Sequence, residues 1–152
     1  MITIREFAEL QGQPLGVSPW MQIDQDRIDR FADVTGDHQF IHVDPARARA
    51  ETDLDGTIAH GFLTLALLSR LNAAVLPDIA RRRMTFNYGL NRVRFLAPVP
   101  VASRIRSHVK LLSVQRTDPG RYLCCHEARI ETEHAEKPAL IAEQLLLHIL
   151  DD

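Results

Sequence analysis

The feature that most constrains this chain is the segment from His60 to Val75, which is apolar on almost every side of a helix. A helix with that pattern must be covered on most of its circumference. Pro77 follows the segment and marks its end. The chain has 152 residues, the length of one ordinary domain, so a single fold has to supply the cover. We therefore expect residues 1–152 to form one domain around this helix.

The sequence after Pro77 changes from a helical period to the alternation that is typical of strands. The predicted strands are Met84–Tyr88, Asn91–Leu96, Ser103–Val114, Arg121–Glu133 and Ala139–Leu150, with a β-turn at Tyr88–Asn91. The last strand is apolar on nearly all of both faces, so we expect it inside the sheet or against a partner subunit. Short turns favour antiparallel pairing, and the predicted class is α+β, a curved sheet wrapped around one central helix.

Capping signals predict the elements that precede the central helix. A capping box at Thr3–Glu6 predicts a helix that ends at Leu10, and a strand is predicted at Val17–Ile23. Asp24 and Gly36 are the predicted ends of a second helix, and Asp44-Pro45 predicts the start of a third.

Composition excludes several classes of protein. The formal net charge is −2, which provides no basic field for nucleic acid. The two cysteines, Cys124 and Cys125, are adjacent, so they indicate neither a disulfide framework nor a cysteine-based zinc site. Arg5 and Glu6 interrupt the apolar run that a signal peptide would need, and Ile58–Leu68 is too short to span a bilayer. We expect a cytoplasmic protein with neither a nucleic-acid nor a membrane partner.

Ionisable side chains are concentrated between Gly36 and Pro45. Asp37 and His42 follow the stop signal of a helix, so we expect both on a loop, where a carboxylate and an imidazole can hold one water and move its proton. Two alternatives stay open on spacing alone. Asp37 and His42 can be a turn former and a buried polar residue, or His38, His42 and Asp44 can be metal ligands.

Gly61 and Ser69 are the two positions of the apolar segment that are candidates for contact with a substrate. Gly61 stands where a helix begins, so its amide can donate to a substrate oxygen on which charge builds up. Packing alone explains a glycine there equally well. The Ser69 hydroxyl is more typical of a bond back into its own helix than of a substrate contact.

Two motifs in order resemble a known family over nearly the whole chain. GDHQFIHVDP followed by IAHGFLTLALLSRL resembles the hydratase box of the MaoC-like (R)-specific enoyl-CoA hydratases, and NYGLNRVRFLAPVP is similar to the continuation in the NodN-related branch. The resemblance implies a hot-dog fold, usually dimeric with a continuous sheet. It also implies syn addition of water to a trans-2-enoyl thioester, giving the (R)-3-hydroxyacyl product without a metal or redox cofactor.

The resemblance also implies roles for individual residues. It makes Asp37 and His42 the catalytic dyad and Gly61 the oxyanion amide, with Ser69, Tyr88 and Asn91 near the substrate. Many members of the family carry Asn-Pro where this chain has Gln39-Phe40, a change that we expect to add bulk near the dyad.

Arginines are the candidates for binding the phosphates of coenzyme A, because guanidinium groups match phosphate geometry. Arg92 and Arg94 are the preferred pair, and Arg81–Arg83 are a second set. Solvated surface charge explains each of them as well.

Two other functions remain open at this point. A hot-dog thioesterase would direct water at the thioester carbonyl, and it would release a thiol instead of consuming the enoyl double bond. An acyl-CoA-binding subunit would bind the thioester without turning it over. The spacing of Asp37 and His42 before the central helix favours the hydratase.

Overall fold

The computed structural model of the protein describes residues 1–151. The helices are α1 (Ile4–Glu9), α2 (Gln25–Thr35), α3 (Phe40–Val43), α4 (Pro45–Glu51), α5 (Gly61–Ala66) and α6 (Leu68–Ala73). The strands are β1 (Pro14–Val17), β2 (Met21–Ile23), β3 (Arg82–Phe95), β4 (Ser103–Asp118), β5 (Arg121–Thr132) and β6 (Leu140–Leu150).

All strands pair antiparallel in one sheet with the order β1-β4-β5-β6-β3, and β2 also pairs with β4. The predicted α+β class is therefore confirmed. β6 lies between β5 and β3, as its two apolar faces indicated. The main core lies between the sheet and the helices, with Leu63, Leu68 and Leu71 on one side and Ile105 and Ile130 on the other.

The central helix differs from its prediction in two ways. It is two short helices, α5 and α6, that meet at Leu67. It is also covered on one side only, because Leu63 and Leu68 are buried whereas Phe62 is 69% exposed. A single copy of the chain thus leaves part of the apolar surface of these helices uncovered.

The capping signals are confirmed one by one. Thr3 and Glu6 form both bonds of the capping box at α1. The Asp24 side chain accepts from the Arg27 amide at the start of α2, and Asp44 does the same for Arg47 at the start of α4. Gly36 ends α2 with φ 76°, a left-handed conformation that favours glycine. These local hydrogen bonds fix where α2 stops and the following loop begins.

Two strand predictions were wrong. The strand predicted at Val17–Ile23 is divided between β1 and β2. The predicted turn at Tyr88–Asn91 does not form, because β3 runs straight through it and stays paired with β6. Register shifts between Asn87 and Gly89 and between Leu90 and Val93 absorb the irregular sequence as bulges. A glycine in a strand is therefore a bulge signal here instead of a turn signal.

Among residues 1–151, no helix is both long enough and apolar enough to cross a membrane.

Candidate active site

The end of α2 and the short helix α3 bring Asp37 and His42 together. One Asp37 carboxylate oxygen, one His42 ring nitrogen and one His60 ring nitrogen all lie within 4.8 Å of one another. Asp37 is exposed on the loop after Gly36, as predicted. His42 was predicted on the same loop but lies on α3 and is only 6% exposed. An exposed carboxylate and a buried imidazole thus lie side by side, so a small molecule from solvent can reach the imidazole past the carboxylate.

The hydrogen bonding of His42 determines which of its ring nitrogens can accept a proton. Its Nδ1–H donates to the carbonyl oxygen of Ile58 at 2.7 Å. A carbonyl can only accept, so the neutral ring carries its hydrogen on Nδ1 and leaves the Nε2 lone pair available. Burial lowers the pKa of His42, and the neighbouring His60 lowers it further. His42 is therefore held as a neutral base.

His60 is the functional-site residue that the sequence analysis did not assign. Its ring stacks on that of His42 with a centroid separation of 3.8 Å and an angle of 24°, and Phe31 packs against it at 5.0 Å. Its Nε2–H donates to the backbone carbonyl oxygen of Asp37 at 2.9 Å. His60 thus holds the Asp37 loop against the His42 ring. The available signal was a histidine directly before Gly61, where the central helix begins.

The structure does not bring the predicted metal ligands together. His38 pairs with Asp33 at 2.9 Å, and Asp44 caps α4, so His38, His42 and Asp44 do not form a ligand set. Asp37, His42 and His60 are the residues that come together instead. Imidazole lone pairs lie in the ring plane, so two stacked rings direct them side by side instead of toward one ion about 2 Å away. This geometry favours proton transfer over metal binding.

A first cavity of about 280 Å³ connects His42 with the start of α5. Its lining includes His42, Gly61, Thr64, Phe95 and Ala139. Gly61 is the first residue of α5, so its N–H has no partner within that helix. A Cβ at Gly61 would lie 3.1 Å from the Phe95 ring, so any side chain there would push against the cavity wall. The structure thus brings His42 and the Gly61 amide to one cavity.

Phe40 does not line the first cavity. The Arg47 guanidinium lies 4.2 Å from the centroid of the Phe40 ring, so the aromatic group packs beside α4. Gln39-Phe40 therefore adds its bulk beside α4 and not in the lining of the first cavity, and its effect near Asp37 and His42 stays a prediction.

The three residues that the family resemblance placed near the substrate lie further along β3 and α6. Ser69 and Tyr88 line a second cavity of about 260 Å³ together with Leu65 and Leu68. The Ser69 hydroxyl contacts the Asn87 side chain on β3, at 3.1 Å from Nδ2, and not its own helix. Asn91 lies outside the lining of these cavities, and its Nδ2 is 4.0 Å from Cys125 Sγ.

The arginine candidates divide between the two ends of β3. Arg92 and Arg94 are close in sequence to Phe95, whose ring covers Gly61, so they lie at the end near the first cavity. Both are exposed, and Arg92 faces Glu143 at 3.9 Å. Arg81–Arg83 lie at the opposite end, where Arg82 pairs with Asp78 at 3.3 Å. Position along the strand therefore favours Arg92 and Arg94.

Comparison with known proteins gives consistent matches. The family profile described as "MaoC like domain" matches residues 6–123. A protein named nodulation protein N from Rhizobium leguminosarum bv. viciae is 47% identical over 136 residues, which cover 90% of this chain and 84% of that protein. A 3-hydroxyacyl-thioester dehydratase Z from Mycobacterium tuberculosis is 42% identical over 147 residues, covering 97% and 96%.

The solved structures agree with these sequence matches. The R-hydratase PhaJ1 from Pseudomonas aeruginosa, in its unliganded form, superposes with a TM-score of 0.69 and 26% identity, over 93% of this chain and 83% of that chain. The hot-dog fold expected from the sequence is thereby confirmed.

Proposed function

The chain belongs to the MaoC-like domain family, and on that premise we propose that it is an (R)-specific hydratase that adds water to trans-2-enoyl-CoA thioesters and also catalyses the reverse dehydration. It is an enzyme of the hydratase and dehydratase class, as the names of its relatives indicate. The observation that carries the proposal is the position of His42, which lies beside the Asp37 carboxylate and also lines one cavity with Gly61.

The proposed reaction begins with one water between Asp37 and His42. Both the carboxylate and the His42 Nε2 are acceptors, so the two hydrogens of that water point to the pair and its oxygen lone pair faces the substrate. The water oxygen bonds to Cβ while one of its protons passes to the pair. The π electrons move toward the thioester oxygen and produce an enolate.

In the proposed reaction the Gly61 N–H stabilises that enolate oxygen, a role supported by its position as the first amide of α5, which is free to donate. The proton held by Asp37 and His42 then returns to Cα, and the thioester carbonyl is restored. One water has added across one double bond, and no electrons are gained or lost. Because one pair handles both the water and the proton, both additions occur on the same face, so the addition is syn.

Crotonyl-CoA tests this proposal directly. We expect the purified protein to consume the enoyl absorbance without releasing thiol, and we expect chiral analysis to find (R)-3-hydroxybutyryl-CoA. Thiol release detected with a chromogenic reagent would instead indicate a thioesterase. Tight binding without turnover would indicate an acyl-CoA-binding subunit, and an (S)-product would contradict the stereochemical assignment.

The working unit that we propose is a homodimer joined along β3. This strand pairs with β6 on one side only, and its other edge carries no strand within residues 1–151. Large apolar side chains around this edge are exposed: Phe62, Met84, Phe86, Tyr88, Leu90, Phe95 and Leu96. Free strand edges and apolar patches of this kind are typical of interfaces.

A charge placed in this patch is expected to separate the subunits. Light scattering should give the wild type twice the chain mass of 17.2 kDa, and Phe86→Lys should give a monomer with reduced hydration activity. Val34→Lys is the matched control, because Val34 is an 81% exposed apolar residue on α2. A fully active monomeric wild type would contradict the proposed dimer.

A further inference from the structure

Three cavities follow one another along a single face of α5 and α6. Gly61 and Thr64 line the first, and Leu65, Leu68 and Ser69 line the second. A third cavity of about 310 Å³ follows, lined from the helix by Ser69, Asn72, Ala73 and Leu76. These positions recur every three or four residues, so they share one helical face. Leu67, between the two helices, keeps a right-handed helical conformation, so Ser69 lies up to about 12 Å beyond Gly61 and Asn72 up to about 16 Å.

The second and third cavities also share part of their sheet wall. Asn87 on β3 and Gln144 on β6 line both of them. The first cavity adjoins this pair along the helices, where Thr64 of the first is followed by Leu65 of the second. The proposed path of the acyl chain runs from the Gly61 amide along this face, past Ser69, toward the third cavity.

Seven of the ten residues that line the third cavity have polar side chains. They are Ser69, Asn72, Arg82, Thr85, Asn87, Gln144 and His148. Asn72 is 1% exposed, and its amide is fixed on both sides: its Nδ2 donates to Gln144 Oε1 at 2.8 Å and its Oδ1 accepts from the Ser107 hydroxyl at 2.7 Å. A plain alkyl chain in this cavity would leave any unpartnered polar atom of the lining without a hydrogen bond.

His148 is the group in this lining that lacks a partner. It is 1% exposed, and its Nδ1 shares a hydrogen bond with the Thr85 hydroxyl at 2.8 Å. Its Nε2 is buried without a hydrogen-bond partner within residues 1–151. Burying a ring nitrogen unpaired destabilises a protein, and a ligand that bonds to it removes that cost.

The groups around His148 favour a neutral ligand over an ion. Burial lowers the pKa of His148 to about 4, and the charge of Arg82 acts in the same direction, so the ring is neutral at physiological pH. Arg82 is already paired with Asp78 at 3.3 Å. The remaining polar members of the lining are hydroxyls and amides, which bind uncharged oxygen atoms well.

We propose that the third cavity binds a hydroxyl or ketone oxygen at the far end of the acyl chain, so that this enzyme prefers oxygenated medium-chain enoyl-CoA substrates over plain ones. This inference rests on the proposed hydratase function, because it assumes that the thioester end lies at Asp37 and His42. His148 Nε2 is the group that recognises the distal oxygen, because the Asn72 and Gln144 amides are already bonded to each other.

Pairs of substrates that differ by one hydroxyl test this proposal. Each pair consists of a medium-chain trans-2-enoyl-CoA and the same chain with a hydroxyl on its terminal carbon. At the length that reaches the third cavity, we expect kcat/KM to be about tenfold higher for the hydroxylated member. His148→Leu is expected to abolish that preference, and Thr85→Val, which releases the ring, is expected to weaken it.

The ratio within each pair is the readout, so a general loss of activity in a variant cancels out. His126→Leu is the matched control, since His126 is also 1% exposed with unpartnered ring nitrogens but lines none of the three cavities. It should retain the preference.

The possible results separate the two proposals. Hydration of crotonyl-CoA combined with a preference for plain chains at every length would overturn the polar subsite and leave the hydratase intact. A hydroxyl preference that survives both His148→Leu and Thr85→Val would overturn it as well. Absence of crotonyl-CoA hydration would overturn the hydratase function itself, and the subsite with it.

Discussion

Asp37→Asn and His42→Gln are each expected to lower kcat for crotonyl-CoA hydration by about a thousandfold, the usual scale for loss of a general acid–base group. The Asp37→Asn carboxamide cannot take up a proton, yet it preserves the backbone carbonyl that His60 holds. His42→Gln retains an N–H that can donate toward the Ile58 carbonyl, but it has no basic nitrogen. Initial rates measure the activity of each variant, and circular dichroism checks that it is folded.

The adjacent pair Asp33 and His38 is the matched control for the dyad. These residues are also a carboxylate and an imidazole five positions apart, 2.9 Å from each other, but neither belongs to the group that Asp37, His42 and His60 form. Asp33→Asn and His38→Gln should change kcat by no more than about twofold, as expected for surface positions away from the chemistry. Native-like activity in either Asp37→Asn or His42→Gln would refute the dyad.

The pH profile gives a second signature of the same pair. His42 works as a base only while it is neutral, and burial lowers its pKa. The acid limb of kcat/KM should therefore lie below about 6.5, the ordinary histidine value. A limb above that value would mean that another group controls the activity.

Local sequence signals predicted the elements that lead to the site. The caps at Asp24, Gly36 and Asp44 depend on hydrogen bonds between residues near each other in sequence, so the sequence contains all the information they need. Because these caps fix the end of α2 and the start of α4, the segment with Asp37 and His42 was located correctly between them, although His42 lies on α3 and not on a loop. The interior position of β6 could also be predicted from the sequence, since both of its faces are apolar.

The features that were missed depend on contacts between distant parts of the chain. His60 acts through a stacked ring and a carbonyl more than fifteen residues away, and neither follows from local spacing. The continuity of β3 depends on pairing with β6, which outweighs the turn tendency of Tyr88–Asn91. Helical periodicity also cannot distinguish a face that packs against the same chain from one that a second chain would cover. Phe62 was therefore predicted to be buried, although it is exposed.

The second large effect concerns stability in acid and involves two buried histidines on neighbouring strands. Burial lowers the pKa of His126 and of His148 to about 4 each, and for His126 the nearby His148 contributes to that lowering. In the unfolded chain both titrate near the ordinary value of about 6.5. The unfolded state therefore binds protons between these two values while the folded state does not.

The sign of the effect follows from this difference. Above about pH 6.5 both states are neutral at these residues, and the full stability is present. As the pH falls toward 4, the free energy of unfolding decreases, by on the order of 3 kcal/mol for each histidine. That is a large part of the 5–15 kcal/mol, roughly, that stabilises a typical domain.

Urea unfolding at a series of pH values and one fixed protein concentration measures this loss. The double variant His126→Leu, His148→Leu should have a much flatter dependence on pH between 6.5 and 4 than the wild type. His38→Gln supplies a control of opposite sign, because the hydrogen bond to Asp33 raises the pKa of the exposed His38. Its contribution to stability is present in acid and is lost as the pH rises. Equal slopes in the double variant and the wild type would show that the acid lability arises elsewhere in the fold.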